Sequence, residues 1–278
     1  MPTHVDSRRI GEATITAIWD ATNGWAPEMQ APEAEWRRAM PGADAAGQLP
    51  FDTSVVHVAL GDASVLLDLG HGDAPERFMS EPPDRRSPGV LSGLATIGVG
   101  PEHVTHVVIS HAHFDHFAGA TTERAGRTEP SFPRARHFVG RAEWEGDRDR
   151  DGEGAAMNHH LGALERRGLL ELVDGDREIW PGIAMLHAPG ESPGHAIVRV
   201  RSGGQSFYYL GDLFHHVCEV EHLDWVPRGR DPAATLASRR RLIDEAVPSR
   251  ATLLFTHHQF PGWGRIVPSD RGYRWERV

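Results

Sequence analysis

The run His111-Ala112-His113-Phe114-Asp115-His116 places four potential metal-binding side chains in six positions. Imidazole and carboxylate are suited to zinc, manganese, cobalt or iron. On a tight loop, His111 and His113 can aim at one ion while Asp115 and His116 turn towards a second. The run follows Thr105-His106-Val107-Val108-Ile109-Ser110, whose apolar character reads as a buried strand. The cluster therefore sits on a loop at a strand's C-terminal end, where a rigid element aims loop residues. Packing does not explain it, because burying so many polar groups without partners costs several kcal/mol. The competing reading is a histidine-rich surface turn.

Three further loops repeat the pattern. His195 ends Pro189-Gly190-Glu191-Ser192-Pro193-Gly194-His195, a turn-rich segment after an apolar run. Asp212 ends Tyr208-Tyr209-Leu210-Gly211-Asp212, and His257 follows Leu253-Leu254-Phe255-Thr256. Each alone is ordinary, since a histidine after a strand is often structural and Gly-Asp is a common turn. With the first run they give seven candidate ligands at four strand ends.

The elements that must position them alternate between short β-like and helical runs. Strands are expected at Ala13–Trp19, at Thr53–Leu60 and Ala63–Leu69 (joined by Gly61-Asp62), at Ile183–His187, Ile197–Val200, Phe207–Leu210 and Ala251–Thr256. Helices are expected at Val90–Ile97, Arg141–Gly146, Ala155–Arg167 and Pro232–Ala246. Residues 121–133 read as a polar loop. Residues 22–50, rich in Ala, Pro and Gly, read as an irregular N-terminal arm with one short helix. Strands in runs with helices between them indicate an α/β chain with two sheets sandwiched by helices. All 278 residues are read as one domain.

The net charge of -10 argues against nucleic acid and anionic membranes as partners. The single cysteine, Cys218, allows no intrachain disulfide. With no secretory leader and no apolar run of membrane-spanning length, a cytoplasmic location is expected.

On His111, His113, Asp115, His116, His195, Asp212 and His257, in that order, the sequence resembles the metallo-β-lactamase superfamily of hydrolases. Asp68, in Leu66-Leu67-Asp68-Leu69-Gly70, resembles a support position of that family. The resemblance implies an αββα sandwich of two mixed β-sheets flanked by helices. It implies two divalent ions, with zinc expected and manganese, cobalt or iron acceptable to the same donors. His111, His113 and His195 would hold one ion, Asp115, His116 and His257 the other, and Asp212 would bridge both. His257 is preferred over His258 because the family's histidine lies three residues before a Phe-Pro pair, here Phe260-Pro261.

Such a centre implies attack on a lactone or ester carbonyl by a metal-bridging hydroxide, with Asp115 passing a proton to the leaving group. The commonest zinc β-lactamases carry Cys at the place of Asp212 and Arg at that of His116. Flavodiiron oxidoreductases carry Glu at that of His113. The segments around Gly211–His216, His222–Trp225 and Phe260–Gly264 resemble the branch of N-acyl-homoserine lactonases and methyl parathion hydrolase-like phosphotriesterases. Many lactonases have a tyrosine three residues after the bridging Asp, where this chain has His215. His215, or its neighbour His216, is the expected substitute donor to the substrate oxygen, and the alternative is that they pack against their loop. Phe114, Phe214, His216 and Trp263 are the expected substrate contacts, with Met157 a further candidate. Trp25 and Trp36 would cap the pocket or pack across a homodimer interface. Alternative activities are phosphotriester or aryl ester hydrolysis, or mononuclear-iron sulfur dioxygenation. A non-catalytic binding member with a degenerate site is a third reading.

Overall fold

The computed structural model describes residues 4–44, 47–72, 87–147 and 153–278. The chain opens with β1 (Val5–Ile10), β2 (Ala13–Trp25), α1 (Glu33–Ala39), β3 (Leu49–Leu60) and β4 (Ala63–Leu67). It continues through α2 (Val90–Thr96), β5 (His106–Val108), α3 (Phe114–Phe117), β6 (Thr121–Arg124), β7 (Arg127–Pro130) and β8 (Arg136–Gly140). Next come α4 (Arg141–Asp147), α5 (Glu153–Glu165), β9 (Leu170–Val173), β10 (Arg177–Trp180), β11 (Ile183–His187), β12 (Ala196–Ser202) and β13 (Gln205–Tyr209). It closes with α6 (Cys218–Glu221), α7 (Pro232–Ala246), β14 (Thr252–Leu254), β15 (Gly264–Ser269) and β16 (Gly272–Arg277).

Two seven-stranded sheets form, in the orders β1-β2-β3-β4-β5-β8-β9 and β10-β11-β12-β13-β14-β15-β16. Both are mixed. β4, β5, β8 and β9 pair in parallel in the first, and β13 pairs in parallel with β14 in the second. Successive side chains on a strand face opposite ways, and the sequence uses that period to build three apolar layers. Val56, Val58, Val65 and Leu67 meet Met185, Val198, Phe207 and Tyr209 in one core cluster shared by both sheets. Val55 and Leu66, the alternate residues, pack with Leu94 of α2, Trp144 of α4 and Leu161 of α5. Tyr208 and Leu253 pack with Leu242 and Ile243 of α7. The order is helix, sheet, sheet, helix, as expected.

Three expectations change. β2 runs on to Trp25 and β3 starts at Leu49, so only the stretch between them is an arm. That stretch is pinned rather than loose. Met29, Trp36 and Met40 bury against Cys218 and Trp225 in a small separate core. The Gln30 N–H donates to the Val226 carbonyl at 2.7 Å, and the Arg228 N–H donates to the Glu28 carbonyl at 2.7 Å. Trp36 is therefore filled in from within the chain, neither capping a pocket nor offered to a second copy. Residues 121–133, expected to be a loop, include the hairpin β6–β7, whose polar strands pair through Thr121↔Pro130 to Arg124↔Arg127. β1, β8, β9, β10, β15 and β16 have no counterpart in the expected elements.

Candidate metal centre

The seven expected ligands come from loops at strand ends on one side of the sandwich. β5 delivers His111 to His116, with α3 beginning at Phe114. β11 leads to the His195 loop, β13 to Asp212 and β14 to His257. Gly211 is required here. Its φ is +50°, and a Cβ would stand 2.8 Å from His195 Nε2 and 2.9 Å from Ser110 Cβ. Only a residue without a side chain lets the chain turn between two ligand loops.

Six of the seven converge in two groups: His111, His113 and Asp212, joined by Glu191, and Asp115, His116 and His257. In the second group, Asp115 Oδ2 lies 3.6 Å from His116 Nε2 and 3.4 Å from His257 Nε2. Asp212 Oδ1 lies 3.3 Å from both of those nitrogens. Metal bonds of about 2.1 Å put tetrahedral ligand atoms about 3.4 Å apart, so this set has the span of a coordination shell. Asp212 Oδ2 turns the other way, 3.7 Å from His111 Nε2. One carboxylate thus offers an oxygen to each group. His195 stands beside the first group with its Nε2 accepting the Asp212 N–H at 3.1 Å.

The protonation states also suit cations. Burial and the neighbouring histidines hold the His111 pKa well below its ordinary value, leaving a neutral ring with a lone pair to give. Burial would raise the Asp212 pKa, but His257 and His116 outweigh it and keep the carboxylate ionised. Burial opposes a charged His116, yet Asp212, Asp115 and Asp68 raise its pKa well above the usual value. Positive charge is favoured where those carboxylates meet. His116 Nε2 and Asp212 Oδ1 are buried and make no hydrogen bond. Unsatisfied buried atoms of this kind are costly, and a divalent cation would satisfy both. The residues present fit two metal ions.

Most of the ligand rings are oriented from behind, a feature that fixes tautomer and direction in metal sites. His116 Nδ1 lies 2.8 Å from Asp68 Oδ2, His195 Nδ1 2.9 Å from the Ala188 carbonyl, and His257 Nδ1 2.9 Å from the Asp52 carbonyl. Asp68 also accepts hydrogen bonds from the Ser110 N–H at 2.6 Å, the Ser110 hydroxyl at 2.8 Å and the Tyr209 hydroxyl at 2.7 Å. Glu143 ties two ligand loops together, accepting from the Ala112 N–H and, on its other oxygen, from the Gly194 N–H.

Sequence reasoning missed Glu191, Glu143 and Asp52. Glu191 lies in the Pro189–His195 segment but reads there as a turn residue. Its side chain is 2% exposed, with Oε1 3.3 Å from His113 Nδ1 and 2.6 Å from an Arg230 guanidinium nitrogen. Nothing local marks Glu143 or Asp52, whose partners lie far away along the chain.

His215 lies at the site. Its Nε2 is 3.5 Å from Asp212 Oδ2 and 3.7 Å from Glu191 Oε2. Its ring stacks against Trp25 at 5.6 Å and Phe51 at 6.1 Å, and Phe51 stacks on His257 at 3.6 Å. Burial works against a charged His215, but Glu191 and Asp212 raise its pKa to about 9. Bound cations would pull it back down. The loop beneath is set by Glu219, which accepts from the His215 and His216 N–H groups and pairs with Arg239, both acid and base fully buried.

Other expected contacts lie elsewhere. Trp263 packs on Phe207 between the sheets and donates to Asp6. Phe214 is buried against Phe255 and the Arg239 guanidinium. Their size and apolar character serve the core, so neither lines the site, and Met157 is likewise core beside α2 and α4. His216 accepts the Cys218 N–H and shapes the loop. Phe114 is partly exposed, edge-on to Phe117 and His160. His258 packs between Phe255 and Trp275, away from the carboxylates that meet His257.

The chain is 26% identical over 174 residues to N-acyl homoserine lactonase AiiA of Bacillus thuringiensis subsp. kurstaki, a match covering 60% of this chain and 61% of that protein. It is 26% identical over 216 residues to a probable metallo-hydrolase of Mycobacterium tuberculosis, covering 69% of this chain and 66% of that one. Among solved structures, the hydrolase AbOPH of the beta lactamase superfamily superposes with a TM-score of 0.84 at 19% identity, covering 100% of this chain and 98% of that chain. AidC, a dizinc quorum-quenching lactonase in complex with a product, superposes with a TM-score of 0.77 at 21% identity, covering 99% and 97%. At those identities the likeness is one of fold. No helix among the described residues is long and apolar enough to cross a membrane. Residues 49–257, three quarters of the chain, match the metallo-beta-lactamase superfamily, and the chain belongs to it.

Proposed function

We propose that the chain is a dinuclear metal-dependent hydrolase that opens a lactone or ester carbonyl, with N-acyl homoserine lactones as the leading substrate class. The observation carrying this reading is Asp212, which offers Oδ2 towards His111 and Oδ1 towards His116 and His257. When bound, two divalent ions supply an activated water at neutral pH and an electrophile for the carbonyl oxygen. Asp115, the partly exposed ligand, takes the proton of the attacking water and returns it to the leaving alkoxide. His215 donates from Nε2 to the substrate oxygen, in the place where many lactonases have tyrosine. The stacked rings of Trp25 and Phe51 beside it suit an acyl chain or an aryl group. Zinc is the proposed metal.

The test joins a substrate panel to elemental analysis. Metal-reconstituted protein should open homoserine lactones faster than it cleaves aryl esters or phosphotriesters, with about two ions per chain. A preference for phosphotriesters would move the assignment to that branch. One iron per chain with no hydrolysis would overturn the reading.

A further inference from the structure

Glu191 is a third carboxylate at the centre. Its loop is held from several sides. The Gly190 N–H donates to the Ser192 carbonyl, the Asp231 N–H donates to the Gly190 carbonyl, and the Ser192 hydroxyl and Gly194 N–H both donate to Glu143. Gly190 has φ +141° and lies so close to Thr235 that no Cβ fits. Glu191 is therefore delivered to its position by a rigid loop, the same one that ends in His195.

What it meets there is a set of potential ligand atoms. His113 Nδ1 is 2.8 Å from His111 Nε2, and Glu191 Oε1 is 3.3 Å from His113 Nδ1. Asp212 Oδ2 closes the set at 3.7 Å from His111 Nε2. Four ligand atoms on three loops lie within 4.8 Å of one another. With bonds of about 2.1 Å, neighbouring ligand atoms stand about 3.0 Å apart in an octahedron and about 3.4 Å in a tetrahedron. The Glu191–His113 separation falls inside that range. Glu191 Oε1 is also buried with no hydrogen bond that meets normal geometry, although Arg230 lies beside it as an ion pair. The Arg230 side chain, 29% exposed, balances the charge of the carboxylate.

We propose that Glu191 is an oxygen ligand of the first ion, in addition to His111, His113, Asp212 and the expected His195. This rests on the two-ion reading above and adds to it a difference between the two positions. The first ion gains a hard, anionic donor and a higher coordination number. Such a site takes manganese, iron or cobalt more readily than one with imidazoles and a single shared carboxylate. The two positions then prefer different metals.

Three variants test this: Glu191→Gln, Glu191→Asp and Arg230→Met, each reconstituted with cobalt, manganese or zinc. Ligand-field absorption of the cobalt form reads coordination number, growing stronger as ligands are lost. Glu191→Gln should strengthen that absorption and weaken manganese binding about 10–100-fold, with a smaller change for zinc. Glu191→Asp keeps the charge but withdraws the oxygen, and should shift the spectrum in the same direction. Arg230→Met keeps the carboxylate and should leave the spectrum as in the parent. An unchanged spectrum and manganese-to-zinc ratio in Glu191→Gln would overturn the proposal. So would a matching change in Arg230→Met, which would make Glu191 only a partner for that arginine. Elemental analysis of the parent separates the two readings. One ion per chain removes the dinuclear reading, while the Glu191→Gln spectrum still reports whether that ion uses Glu191.

Discussion

Asp68 accepts four hydrogen bonds, from Ser110 N–H, Ser110 Oγ, His116 Nδ1 and Tyr209 Oη. It is 1% exposed and holds φ at 61°, a left-handed conformation that Asn tolerates as well as Asp. Asp68→Asn therefore changes the acceptors with little change in backbone strain or volume. If the amide oxygen keeps the Ser110 N–H, its NH2 faces the three donors that now share Oδ2. The two hydroxyls can rotate, Tyr209 towards Thr256 Oγ1 at 2.8 Å. The His116 ring cannot, because Nδ1 must carry the proton if Nε2 is to ligate. Losing charge-assisted bonds of about 1.5–3 kcal/mol each, offset by that rotation, leaves a net cost of about 3–5 kcal/mol. That is a large share of a stability of about 5–15 kcal/mol. Metal affinity should fall about 10–100-fold through His116 misorientation. Urea unfolding of the metal-free protein reads the first quantity, and chelator competition reads the second. A variant within about 1 kcal/mol of the parent, with unchanged metal affinity, would refute the idea that Asp68 orients His116.

Gly211→Ala forces a Cβ against His195 Nε2 and Ser110 and should cost about 2 kcal/mol or more; a Tm drop with reduced metal content checks this, and a normal melt with full loading would contradict it. Arg239→Met leaves Glu219 charged and buried beneath the His215 loop and should cost about 3–5 kcal/mol. Adding Glu219→Gln should recover part of the loss, and chemical denaturation of both variants decides the point. Burial lowers the His57 pKa from 6.5 to about 4, so the unfolded chain binds the proton more readily. Stability from this group is complete above about pH 6.5 and falls towards pH 4, by about 3 kcal/mol in all. His57→Gln should lose that much less between those pH values in parallel urea titrations, and identical slopes would exclude the assignment.

The grouping of candidate ligands was largely legible because it depends on local order. His111, His113, Asp115 and His116 crowd into six positions, and Asp212 and His257 each follow an apolar strand. The central strands were legible for the same reason, since Val55–Val58 and Phe207–Tyr209 are buried on both faces. Much of what escaped lies at the margins. β1, β9, β10 and β16 are the four sheet edges. Edge strands take charges that discourage further pairing, so Val5–Ile10 and Gly272–Arg277 carry Arg8, Arg9, Arg274 and Glu276 and lack the apolar alternation that marks a strand. Phe214 and Trp263 were misplaced because their type fits a pocket as well as a core, and only the packing decides. Glu191 escaped because a carboxylate in a Pro-Gly-rich turn looks solvated until the loop is folded inwards.

The small core of Met29, Trp36, Met40, Cys218 and Trp225 joins an early segment to the loop that carries His215. Neither piece buries its own apolar side chains without the other, so the two order together. If His215 meets the substrate as proposed, substrate preference would belong to a discontinuous unit rather than to a loop. Grafting residues 213–230 from a relative would strand Trp36 and Met40 against a foreign surface, and the Trp25–His215 stack would lose its geometry. Any exchange of specificity, by recombination or by design, has to carry the arm and the loop as a pair.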